Sequence, residues 1–68
     1  MTDCELVVMK PNGQEGQTTP IKLHEVPLRG EILKVGGHTY IVDRRLWVLL
    51  DFSVPPMVCR IFLIDAGY

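Results

Sequence analysis

The chain has 68 residues, enough for one small domain over residues 1–68 and a modest core. Its hydrophobic fraction of 47% is too high for a disordered tail. Seven basic against eight acidic side chains give a formal charge of −1, without the basic surplus of a dedicated phosphate-backbone binder.

The opening Met1-Thr2-Asp3-Cys4 is acidic and has no apolar segment behind a basic one. No secretory signal is expected from it, and a cytoplasmic location is. The longest apolar run, Leu46–Leu50, is far too short to span a bilayer, so no membrane partner is expected. Two cysteines, Cys4 and Cys59, make no disulfide framework and read as buried reduced thiols within strands.

In chain order, Cys4–Met9 predicts a first strand, closed by the turn residues Pro11-Asn12-Gly13. Gln14–Pro20 is polar, with a Gly and a Pro, and predicts an exposed loop. Ile21–Val26 alternates apolar and polar residues and predicts a short strand. Pro27-Leu28-Arg29-Gly30 predicts a turn, since Pro27 cannot donate a ladder bond and belongs at a strand end.

Glu31–Val35 and His38–Val42 flank Gly36-Gly37 and predict a tight hairpin. Consecutive glycines permit the two positive φ angles of a type I′ turn. A helix through them would lose roughly 1 kcal/mol at each relative to Ala. Counting outward sets Val35 opposite His38, Lys34 opposite Thr39, Leu33 opposite Tyr40 and Ile32 opposite Ile41. Leu33, Val35, Tyr40 and Val42 then share a core face.

Past Val42 a strict alternation puts Arg44, Leu46, Val48 and Leu50 on one side, and Asp43, Arg45, Trp47 and Leu49 on the other. Arg44 would then point inward, so a bulge or bend is expected at Asp43-Arg44-Arg45. Asp51–Pro56 ends in Pro55-Pro56, which stops a strand, and Met57–Asp65 predicts a final one, nearly all apolar except Arg60. Short strands with Gly/Pro turns predict an all-β fold: a small five-stranded curled antiparallel sheet or SH3-like barrel. Closure by pairing the first strand with the last would remove open edges and bring Cys4 to Cys59.

No spacing carries chemistry. Cys4, His24, His38 and Cys59 stand alone rather than in the close pairs of a zinc site, so no metal and no other cofactor is expected. Ser53, the only serine, has no nucleophile elbow around it, and no catalytic residue is assigned. Gly36-Gly37 precedes a strand rather than the helix N-terminus of a phosphate cradle. The chain therefore reads as a protein without enzymatic activity.

Two surfaces remain. The last strand is apolar on both faces, and Trp47 and Leu49 add apolar area, so Trp47, Leu49, Ile61 and Leu63 form a candidate interface for a host protein or a second copy in a homodimer. Lys34, Tyr40, Arg44 and Arg45 beside Trp47 form a candidate contact for single-stranded nucleic acid. Strict alternation sets Tyr40 and Trp47 on opposite faces, which disfavours this second reading. A third alternative is a dimer that sequesters a nucleotide at its seam.

Val26-Pro27, Gly30-Glu31, Val35-Gly36-Gly37 and Tyr40-Ile41-Val42 lie within residues 26–42, about a quarter of the chain. In this rhythm the chain resembles the small SH3-like β-barrel proteins encoded as short accessory reading frames by bacteriophages and mobile elements. That resemblance implies an adaptor or an inhibitor that blocks a host enzyme or defence system by binding it. It carries over no functional residue.

Overall fold

The structure is a computed structural model that describes residues 1–49 and 57–67. Five strands follow in order: β1 (Thr2–Met9), β2 (Glu15–Leu23), β3 (Ile32–Val35), β4 (His38–Leu49) and β5 (Met57–Asp65). They form one sheet in the order β2-β1-β5-β4-β3, curled into a half-barrel around its core. The all-β class and the five strands agree with the sequence. Neighbours are antiparallel except β1 and β5, which are parallel. Four chain reversals return β5 to the direction of β1, and that requires a crossover. Residues 24–31 supply it, carrying the chain from one edge of the sheet to the other, with Val26 packed on the core cluster.

The largest differences from the sequence-based boundaries lie in β2, while β1 starts two residues earlier than Cys4 and β3 one residue later than Glu31. Residues 14–20 are not a loop: from Glu15 onward they are the first half of β2, which stops at Leu23 rather than Val26. Polar residues suit this strand because it lies at the sheet's edge and is largely exposed. Pro20 is tolerated there because an edge strand has one side with no ladder to feed. Gly16 is required by packing: a Cβ would lie 2.6 Å from the Val8 carbonyl oxygen, beside the break in β1–β2 register between Val7 and Met9. The β1–β2 turn is held by Gly13 donating to the Lys10 carbonyl and Lys10 donating to Gln14. Asn12 Oδ1 also accepts the Gln14 N–H at 3.0 Å.

The central hairpin has the register counted from Gly36-Gly37, from Val35–His38 down to Ile32–Ile41. Both glycines have positive φ, 56° and 87°. Val42 is buried and Leu33 and Tyr40 pack on the core cluster, but Val35, at the tip, is exposed. Pairing of β1 with β5 places Cys4 directly opposite Cys59, both reduced and buried. It does not remove the edges: β2 and β3 remain the outer strands, because the crossover reaches β4 only where Gly30 and Glu31 bond Val42.

The two faces of the sheet are unequal. The core face carries Cys4, Leu6, Val42, Cys59, Ile61 and Leu63, with Leu23, Val26, Leu33 and Tyr40 packed against them. On the outer face Val7 and Phe62 are buried side by side in paired positions of β1 and β5. Phe62 is therefore no part of an apolar surface. The Arg44 guanidinium lies 4.3 Å from the centre of its ring and that of Arg60 lies 5.4 Å away.

Candidate functional site

The site begins at Asp43. Val42 pairs with Leu63 and Arg44 with Phe62, so Asp43 is an extra residue in β4. This bulge lies where the Asp43-Arg44-Arg45 interruption predicts one. It reverses the facing of every later residue relative to strict alternation. Arg44, Leu46 and Val48 pair with Phe62, Arg60 and Val58 on the outer face. Arg45, Trp47 and Leu49 pair with Ile61, Cys59 and Met57 on the core face. Tyr40 and Trp47 thus share a face rather than lying on opposite ones.

Beyond the core, this end of the β4–β5 ladder is exposed and apolar. Leu46 is 50% exposed, Trp47 43%, Leu49 74% and Met57 44%. Ile61 and Leu63, in contrast, are only 0% and 1% exposed. They are paired on both sides in the central strand and covered by the crossover, so they offer no surface to a partner. Of the predicted interface, the surface retains Trp47 and Leu49 and gains Met57, while Leu46 is exposed on the opposite, outer face. Leu46 was hidden from sequence reasoning because strict alternation put it on the same side as Val42. Leu50, the proline stop at residues 51–56 and Ser53 lie outside the described residues.

The four residues of the nucleic-acid reading divide between the faces. Lys34 and Arg44 are on the outer face, while Tyr40 and Arg45 are on the core face with Trp47. Tyr40 is half-buried against the core. Arg44 Nη1 is 3.3 Å from Asp43 Oδ2, which offsets its charge.

An outer-face cluster joins residues that no local motif links. Arg60 Nη2 and Nη1 donate to the two Glu15 carboxylate oxygens at 2.6 and 3.2 Å, and Arg60 Nε is 3.4 Å from Glu5 Oε1. This bidentate bond from Arg60 is the main cause that holds the Glu15 carboxyl below its ordinary range. The same bond is the main cause that raises the Arg60 pKa further. The charge of Arg60 in the middle of the last strand was the one available signal, and its partner Glu15 fell in a stretch that reads as loop.

Burial is the first cause that raises both thiols, Cys4 and Cys59. For Cys4 the neighbouring Cys59 and Asp3 add to it, whereas Arg45 opposes it at Cys59. Such thiols are poor nucleophiles. His24 lies just past β2 and His38 beside the hairpin turn, and among the described residues no three His, Cys, Asp or Glu side chains converge as metal ligands. Among the same residues no helix is long and apolar enough to cross a membrane. A hollow of about 710 Å³ near Arg60 is lined on the outer face by Asp3, Glu5, Lys22, Val48 and Val58. Its charges are of both signs, and Lys22 Nζ stands 3.9 Å from Asp3 Oδ1.

No family model, curated protein or solved structure matches the chain. The functional reading rests on the surface itself.

Proposed function

We propose that the protein is a non-enzymatic binding protein that works by protein–protein contact through the far end of β4. The observation that supports this reading is the exposure of the alternate residues Trp47 and Leu49, with Met57 paired to Leu49, on the core face at the end of the β4–β5 ladder, beside Leu46 exposed on the opposite face. Scattered apolar residues are ordinary on a protein surface, but a continuous patch marks contact with another molecule. A large aromatic at its centre is the usual anchor of such a contact. Blocking a host enzyme or defence complex by occupying its surface is the role that the family resemblance implies.

The test compares the wild-type chain with Leu49→Asp and Trp47→Ala in capture from host lysate, after circular dichroism establishes that each is folded. Capture that both substitutions abolish supports the reading. Capture indifferent to both overturns the assignment of the surface.

One observation favours a second reading. The bulge puts Tyr40, Arg45 and Trp47 on one face, an arrangement compatible with stacking of single-stranded bases beside a cation. Titration of Trp47 fluorescence with single-stranded oligonucleotides at low salt tests it. An unchanged signal removes it.

A further inference from the structure

The far half of β4 is an edge. β3 pairs only with His38–Ile41, the crossover bonds Val42, and no described strand pairs with the outer side of β4 beyond that. The direction of its backbone groups follows from the ladder. In an antiparallel pair, successive residues turn their N–H and C=O groups to alternate sides. Thr39 turns its carbonyl inward, accepting from Ala66 at 2.9 Å. Ala66 therefore points toward β4, and so do Ile64, Phe62, Arg60 and Val58 at two-residue steps. Their partners Arg44, Leu46 and Val48 must answer inward. Arg45, Trp47 and Leu49 are left with N–H and C=O pointing away from the sheet.

The opposite edge is protected. Pro20 sits in mid-β2 and has no N–H to offer an added strand, and Gln17, Thr18 and Thr19 before it are polar. The outer edge of β3 is only four residues long. Among the described residues the edge of β4 has no such guard, and it carries apolar side chains on both faces.

The geometry points to a second copy of this chain as the occupant of the β4 edge. The two β4 segments would pair antiparallel about a two-fold axis at Trp47. This inference rests on the contact reading above and names its partner. Charge selects the register. Centred on Trp47, each Arg45 stands opposite the partner's Leu49, and the two Trp47 side chains meet on the core face. Leu46 stands opposite the partner's Val48 on the outer face, twice over. Centring on Arg45 would oppose like charges, and a parallel arrangement would stack the arginines of both copies. The favoured register joins apolar to apolar, separates the guanidinium groups and satisfies the backbone groups of Arg45, Trp47 and Leu49. A two-fold contact also closes on itself rather than propagating. The net charge of −1 leaves little long-range repulsion between copies.

The test is sedimentation equilibrium of the full chain from low-micromolar to near-millimolar concentration. The result expected is a concentration-dependent mass that approaches two chains. Arg45→Pro deletes one outward N–H without touching a β4–β5 bond, and should weaken association about tenfold or more. Leu46→Arg, at an exposed site, sets a charge against the partner's Val48 and should do the same even if the proline variant does not fold. A single-chain mass for the wild type at all concentrations overturns the inference. So does a dimer that tolerates both substitutions, since it must use another surface. If a strictly monomeric chain still captures a partner in a Leu49-dependent way, self-pairing fails while the contact reading survives. If it captures nothing, both fail.

Discussion

Arg60 reaches from β5 across β1 to hold Glu15 on β2, with both carboxylate oxygens engaged. Its guanidinium lies 5.4 Å from the centre of the Phe62 ring, and that of Arg44 lies 4.3 Å from the same centre. The charged pair is thus the lid of a second, smaller apolar layer on the outer face.

The Glu15 carboxyl is held below its ordinary value of 4.5 by that bond. A group whose folded pKa is depressed contributes stability above its unfolded pKa and loses it as pH falls through the folded value. The melting temperature should therefore fall as pH drops below about 4.5. Glu15→Gln should lower the melting temperature at neutral pH and make its acid decline shallower. Thermal unfolding followed by circular dichroism across this range checks both. An unaltered decline in the variant would assign the acid sensitivity elsewhere.

Phe62→Ala should be severe. Truncating a buried aromatic costs about 3–5 kcal/mol, comparable to the whole stability of a domain this size. Urea denaturation should show a chain largely unfolded in water. Phe62→Leu, which keeps most of the volume, should remain folded.

Gly16→Ala should destabilise by about 1–3 kcal/mol despite lying on an edge strand, because the added carbon meets the Val8 carbonyl oxygen. Denaturant midpoints for the variant and the wild type measure this. Equal midpoints would mean that the β2 edge shifts freely.

Both thiols are raised above their ordinary value of 9.0, chiefly by burial. A raised folded pKa leaves stability intact below the unfolded pKa and erodes it as pH rises toward the folded value. Stability should fall above about pH 9. A Cys4→Ala/Cys59→Ala variant should lose less over the same interval. A thiol reagent added to the native protein should react at the rate of unfolding.

Asp43 is extra to the ladder, so the pairing on either side is already continuous without it. Its deletion should leave Arg44 opposite Phe62 and Trp47 opposite Cys59, at a cost below about 2 kcal/mol. Dispersed amide resonances with unchanged cross-strand contacts would support this. Loss of the folded spectrum would show that the bulge is needed to curl the sheet.

These features differ in how far local chemistry announces them. The hairpin was legible because Gly36-Gly37 admits one loop length, and the register then follows by counting. The apolar run from Ile61 to Leu63 marked the central strand, and the Asp43-Arg44-Arg45 interruption marked the bulge. The first half of β2 was not legible, because an edge strand needs no apolar residues and Gly16 and Pro20 resemble loop chemistry. The site was half legible. Trp47 and Leu49 are large and follow a charged break, but their facing depends on whether one residue is inserted before them. Ile61 and Leu63 read as surplus apolar area only while the crossover that covers them is unknown.

The parallel pairing of β1 and β5 has a bearing on synthesis. Cys59, Ile61, Phe62 and Leu63 lie in the middle strand of the sheet, yet they are translated after the other four strands. Until residue 65 clears the ribosome, the first four strands have a gap where their keystone belongs. A nascent chain should stay protease-sensitive until β5 has emerged and then fold in one step.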